Sequence, residues 1–164
     1  MDISLKIFAP QYEEQVSNLI LDIQQNEFGV KITKEEQPDL SNISAFYQKN
    51  GGNFWIALDG AKVVGTIALV DIGNNQGALR KMFVHQNYRG KEFGIASRLL
   101  NLLIDWANAQ EISEIYLGTT SKFLAAHRFY EKNGFSEISR SSLPEAFPLV
   151  AVDSKFYMTS LSNY

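Results

Sequence analysis

At 164 residues, with 45% apolar and 20% charged side chains, the chain fits one domain (residues 1–164) long enough to bury a real core. A formal net charge of −3 gives no reason to expect nucleic acid or an anionic membrane as partner, and no apolar run approaches the roughly 20 residues of a membrane span. The absence of cysteine excludes disulfides, thiolate metal sites and a Cys nucleophile, and His85 and His127 are too few and too far apart for zinc, so no metal is expected.

Residues 1–6 lack the charged-then-apolar pattern of a secretory signal, and a cytoplasmic location is expected. Residues 3–8 alternate apolar and polar side chains, the period of a strand. Pro10 then leads a helix with Val16, Leu19, Ile20 and Ile23 on one face. Residues 29–42, broken by Gly29 and Pro38, read as a loop or short helix. Residues 43–49 read as one or two helical turns, stopped by Asn50-Gly51-Gly52.

Two β-rich runs, 54–58 and 62–71, flank Asp59-Gly60, a strong hairpin signal. Asn74-Asn75-Gln76-Gly77 turns the chain into a third strand, 78–84. A helix follows with Ile95, Leu99, Leu102, Leu103 and Trp106 on one face. A strand at 114–118, a helix at 123–133 capped by left-handed Gly134, and strands at 135–138 and 156–158 complete the chain. Between the last two, residues 141–153 carry Pro144 and Pro148 and form a long connection. The order implies a mixed α/β or α+β domain.

The segment entering the central helix carries the strongest functional signal. Residues 80–98 hold Arg80, Lys81, Arg89, Lys91 and Arg98 against one acid, Glu92, on an otherwise acidic chain. A basic, Gly-bearing turn opening into a helix presents outward-facing amides and the positive end of the helix dipole, which suits a phosphate or diphosphate. The plain alternative is an ordinary helix entry with solvated charges. A P-loop reading is disfavoured, because no Gly-Lys-(Ser/Thr) stands at the helix start.

Two motifs resemble the GNAT superfamily of N-acetyltransferases. One runs from Val84 through Arg89, Gly90 and Lys91 to Gly94-Ile95-Ala96; the other is Ala126-His127-Arg128-Phe129-Tyr130-Glu131-Lys132-Asn133-Gly134-Phe135. The resemblance implies a GNAT-like, mostly antiparallel twisted sheet of six to seven strands flanked by about four helices. It also implies acetyl-CoA as co-substrate, held by Met82, Phe83 and Val84 and by Arg89, Gly90, Lys91, Phe93, Gly94, Ile95 and Ala96. In the family the strand before the motif splays from the next one, and the ligand lies in the wedge. Here the loop reads as expanded by two residues, Glu92 and Phe93.

The resemblance further implies direct attack of a primary amine on the thioester, with Tyr130 serving the departing thiolate. The expected acceptor is a small molecule or peptide, and the expected assembly a monomer or homodimer. A typical phenol near pKa 10 protonating a thiolate near 8.5 is uphill by roughly 2 kcal/mol, so Tyr130 is expected to act mainly as a hydrogen-bond donor. Two departures stand out. Phe123 occupies a position where the family often has Asn, and Arg80 and Lys81 lie on a strand that often supplies a Glu base. A cationic strand there favours an acceptor bearing an acid, and Phe147 is a candidate lid side chain. The alternative function is a catalytically idle CoA- or acyl-CoA-binding sensor or partner-binding module.

Overall fold

The alternating runs and hairpin signals close into one sheet. In the computed structural model, which describes residues 2–163, the strands are β1 (Ile3–Ile7), β2 (Asn53–Asp59), β3 (Lys62–Gly73), β4 (Gln76–Val84), β5 (Glu114–Thr119), β6 (Ser136–Ile138) and β7 (Lys155–Ser160). Their order is β1-β2-β3-β4-β5-β7-β6, antiparallel throughout except for the parallel pair β4–β5. The α-helices are α1 (Glu13–Leu21), α2 (Ile43–Tyr47), α3 (Ile95–Ala109) and α4 (Leu124–Lys132), and a wider π-type turn at Asp22–Glu27 prolongs α1. No helix among the described residues is long and apolar enough to cross a membrane.

Side chains alternate across the sheet, so each face gathers its own core. On one face Phe54, Ile56, Leu58, Val63 and Ala68 pack beneath Val16, Leu19 and Ile20 of α1 and Ile43 and Tyr47 of α2. On the other, Trp55, Ala57, Val64, Ile67 and Leu69 meet Ile95, Leu99, Leu100, Leu103, Ile104 and Ala107 of α3. Each such fully buried aliphatic side chain contributes roughly 1.5–3 kcal/mol of transfer free energy. The buried stripe of α3 is centred one residue away from the expected one: Leu100 and Ile104 are buried, while Leu102 and Trp106 are only partly so.

Two turns also differ from expectation. Asp59 already pairs with Lys62, which makes Gly60-Ala61 the β2–β3 loop. The β3–β4 turn is Asn74-Asn75, at φ 55° and 58°, and Gln76 and Gly77 belong to β4. Asn tolerates this left-handed conformation better than most residues because its short side chain can bond the local backbone.

Candidate active site

Strands β4 and β5 pair only at Gln76 with Glu114, Gly77 with Ile115 and Ala78 with Tyr116. Beyond that, β4 stays bonded to β3 and β5 to β7, and the two strands part. The main-chain groups of residues 79–84 that point away from β3 therefore face a gap rather than a ladder partner. A bulge shapes the same strand: where β3 advances two residues, from Thr66 to Ala68, β4 uses three, from Arg80 to Phe83. Lys81 takes up the extra length at φ 55°, and Thr66 Oγ1 donates to its carbonyl oxygen at 2.6 Å. The bulge brings Arg80 and Lys81 to one cavity, where strict alternation would separate them.

Two cavities lie along the gap. The larger, about 250 Å³, is walled by Met82, Phe83 and Val84, by Arg89 and Ala96, and by Ala125, Ala126 and Phe129 of α4. The smaller, about 100 Å³, is walled by Gln24, Gln37, Arg80 and Lys81, by Gly118 of β5, and by Phe147, Val150 and Asp153 of the long connection. Met82, Phe83, Thr119, Phe123 and Tyr130 border both.

Tyr130 is fixed at this junction by the way its helix ends. Gly134, at φ 91°, lets the Phe135 amide bond the Tyr130 carbonyl at 3.0 Å and the Gly134 amide bond that of Glu131 at 3.4 Å. This is the Schellman arrangement, and its usual apolar contact is present as the Tyr130 and Phe135 rings at 5.6 Å. Burial pushes the Tyr130 phenol well up from its ordinary value, and the Asp153 charge adds to the shift. Proton donation from this phenol is thus still more uphill than from a free one.

The smaller cavity has a strongly polar wall. Lys81 Nζ lies 3.5 Å from Asp39 Oδ2 and donates to Gln37 Oε1 at 2.5 Å; Tyr47 donates to the same Asp39 oxygen at 2.5 Å. Gln24 and Gln37 exchange amide hydrogen bonds of 3.2 and 2.9 Å. Burial draws the Lys81 amine down to about 8, against the opposing pull of Asp39. Arg80 lies over Phe46 and Tyr47, 5.8 and 6.0 Å from the ring centres, and makes no ion pair among the described residues.

Residues 17–135 match the acetyltransferase (GNAT) family. The chain belongs to this family. An acetyltransferase of GNAT family from Staphylococcus aureus Mu50 has TM-score 0.95 and 43% identity, covering 98% of this chain and 99% of that one. N-acetylglutamate synthase from Neisseria gonorrhoeae, solved with coenzyme A and N-acetyl-glutamate, shares the fold at TM-score 0.73 and 18% identity, over 98% of this chain and 35% of that one. N-acetylaspartate synthetase from Xenopus tropicalis is 41% identical over 104 residues, 61% of this chain and 37% of the frog protein. The matched stretch thus spans little more than a third of that relative's length.

In this GNAT fold the residues expected to hold the cofactor separate into two groups. Met82, Phe83, Val84, Arg89 and Ala96 line the larger cavity; Gly90, Lys91, Phe93, Gly94 and Ile95 do not. The Phe93 and Ile95 side chains pack into the core beside Tyr88 and α3's neighbours, leaving only their backbone for a ligand. Residues 90–94 form one turn, with the Phe93 and Gly94 amides bonding the Gly90 carbonyl at 3.3 and 3.2 Å. Gly94 itself is left-handed at φ 59° and caps α3. The first bond into the helix is Arg98 to Gly94 at 3.0 Å, so the amides of Ile95, Ala96 and Ser97 have no helical partner. Arg89 grips Glu27 with both terminal nitrogens and donates Nε to the Val84 carbonyl at 2.8 Å.

Other expectations also find their places. Phe147 is buried on the smaller cavity, its ring edge-on to Phe156 at 6.5 Å. Phe123 stands edge-on to Phe28 at 4.9 Å, an apolar neighbour for the gap. His127 is structural: buried, with Nε2 2.9 Å from the Thr120 carbonyl. Asp39, Gln24, Gln37 and Asp153 were not expected at the site. Gln37, Asp39 and Asp153 belong to segments without periodicity and Gln24 to the turn that prolongs α1, and only tertiary packing brings them there.

Proposed function

We propose that residues 1–164 form one acetyltransferase domain that moves the acetyl group of acetyl-CoA onto a primary amine of a small molecule or peptide within a ternary complex. The observation that carries this reading is the meeting of the two cavities at Tyr130. The larger cavity fits the pantetheine arm, since the unpaired β4 main chain can bond the arm's amides and the apolar wall can shed water around it. The unpartnered amides at the start of α3 suit the diphosphate. Coenzyme A supplies an activated acetyl group on sulfur. Tyr130 then donates a hydrogen bond where negative charge grows on the leaving sulfur, and outward-facing β4 amides can do the same for the carbonyl oxygen.

The smaller cavity is the acceptor site in this reading. Arg80, uncommitted to any carboxylate, favours an acceptor that itself carries an acid. The name of the frog relative, N-acetylaspartate synthetase, supports acetyl transfer to an acid-bearing amine. The test is release of free coenzyme A from acetyl-CoA across a panel of amino acids, polyamines, aminosugars and peptide N-termini, alongside calorimetric binding of acetyl-CoA. Turnover, greatest with acid-bearing amines, is expected. Tight acetyl-CoA binding with no turnover on any amine would instead favour the idle sensor, a reading to which the engaged Arg89 and the apolar Phe123 lend some weight.

A further inference from the structure

We propose that Asp153 is the general base of this site, taking the proton that the acceptor's ammonium group must lose before its nitrogen can attack. The proposal rests on the acetyl-transfer reading above. A primary amine like that of lysine is protonated at neutral pH and has no lone pair to offer. Strand β4 carries no carboxylate: Arg80 is a cation, and the Lys81 amine is engaged by Gln37 and Asp39. Asp39 is engaged by Lys81 and Tyr47. Asp153 is the one carboxylate that lines the smaller cavity among the described residues.

Its position is built rather than incidental. The Asp153 amide donates to the Val150 carbonyl at 3.0 Å, and the next amide, Ser154, donates to Thr119 at 2.9 Å. These bonds fasten the end of the long connection onto the end of β5. The carboxylate lies flat against Gly118, where an added Cβ would stand 2.5 Å from Oδ2, so a residue without a side chain leaves it room. No side chain bonds or ion-pairs with the carboxylate oxygens among the described residues; a backbone hydrogen bond from Val150 supports the charged form. The charged and titratable groups facing it are Arg80 and Lys81 from β4 and Tyr130 from α4. Burial raises its pKa to about 6 despite the opposing pull of Arg80 and Lys81, which leaves it ionised yet moderately basic at neutral pH.

The proton count closes. An ammonium N–H bond breaks and the proton moves to an Asp153 oxygen. The freed nitrogen forms its bond to the acetyl carbon as the carbon–sulfur bond breaks. The second proton, shed from nitrogen as the amide forms, ends on the departing sulfur, whose growing charge the Tyr130 hydroxyl meets with a hydrogen bond, and Asp153 returns its proton to solvent.

The test compares wild type with Asp153→Asn, which keeps the side-chain shape against Gly118. Free coenzyme A release is followed from pH 5.5 to 9.5, and acetyl-CoA affinity is measured by calorimetry. The expected result is affinity within about twofold of wild type and kcat lower by about 100-fold at pH 7. The acid limb of the wild-type profile, near pH 6, should vanish in the variant. A weakly basic acceptor such as a hydrazide, already neutral at pH 7, should narrow the gap to less than about tenfold. A variant that keeps wild-type turnover and its acid limb overturns the proposal alone. Equal losses on hydrazide and alkylamine, or a parallel loss of acetyl-CoA affinity, reduce Asp153 to a structural role and overturn it too. A wild type that acetylates no amine overturns the acetyl-transfer reading, and this proposal with it.

Discussion

A carboxylate kept ionised in a half-buried cavity should weaken the fold, and Asp153 allows that cost to be worked out. Its pKa is about 6 in the folded protein against an ordinary 3.8. Between those values the folded state holds a proton that the unfolded chain releases. The contribution to stability is therefore complete below pH 3.8, falls as pH rises through the window, and is lost above pH 6. At about 1.4 kcal/mol per tenfold in acidity the gap corresponds to about 3 kcal/mol, which partial solvent access reduces to roughly 1–2 kcal/mol. Asp153→Asn removes the charge, so it should raise Tm by about 3–6 °C at pH 7.5 and by almost nothing at pH 4. Thermal melts of both proteins without ligand at the two pH values read this directly. A variant less stable than wild type at pH 7.5, or equally stabilised at both, would refute the reasoning.

Three further outcomes follow from the same geometry. Tyr130→Phe should lower kcat by about 10- to 100-fold while acetyl-CoA affinity stays within about twofold, because the lost hydroxyl serves charge that grows only in the transition state; a matching fall in affinity would count against that role. Gly94→Val forces a β-branched residue into φ 59°, a strain of about 1–2 kcal/mol. It should weaken acetyl-CoA binding by tenfold or more with far-ultraviolet circular dichroism unchanged, and unaltered affinity would place the diphosphate elsewhere. Asp39→Asn strands the buried Lys81 ammonium and should cost about 3–5 kcal/mol in urea unfolding at pH 7. Asp39 holds the Lys81 pKa up to about 8 against burial, so removing it lowers that pKa further, and the loss relative to wild type should shrink as pH rises toward 8. A loss that does not change with pH would mean that Lys81 is not the cause.

Much of this molecule could be read locally. Strands β2, β3 and β4, the amphipathic α3 and the Gly134 cap all declare themselves by period or by turn residue, and the cap in turn positions Tyr130. The parting of β4 from β5 came only from family resemblance, since nothing in residues 79–84 alone says that a parallel partner ends after Ala78. The bulge at Lys81 was also hidden: a lysine carries no preference for a left-handed backbone, and neighbouring contacts such as Thr66 to its carbonyl hold it there. Arg89 lines the larger cavity as its place in the motif suggests, but its bond to Glu27, 62 positions earlier in the chain, had no local signal. Asp153 had no signal of its own, because its meaning depends on Gly118 leaving space on a strand that is reached only through the fold.

The unfinished ladder between β4 and β5 has a consequence for selectivity. An open strand edge inside a cleft is inaccessible to another chain's broad sheet, yet it stays as demanding of partners as any edge. A slim ligand with peptide-like linkages in its tail would dock there as a short pseudo-strand, zipping into the vacant register. Nucleotides lacking such a tail would find the helix entrance but nothing to fasten them along the groove. Discrimination would then come from polypeptide mimicry and not from a dedicated side chain.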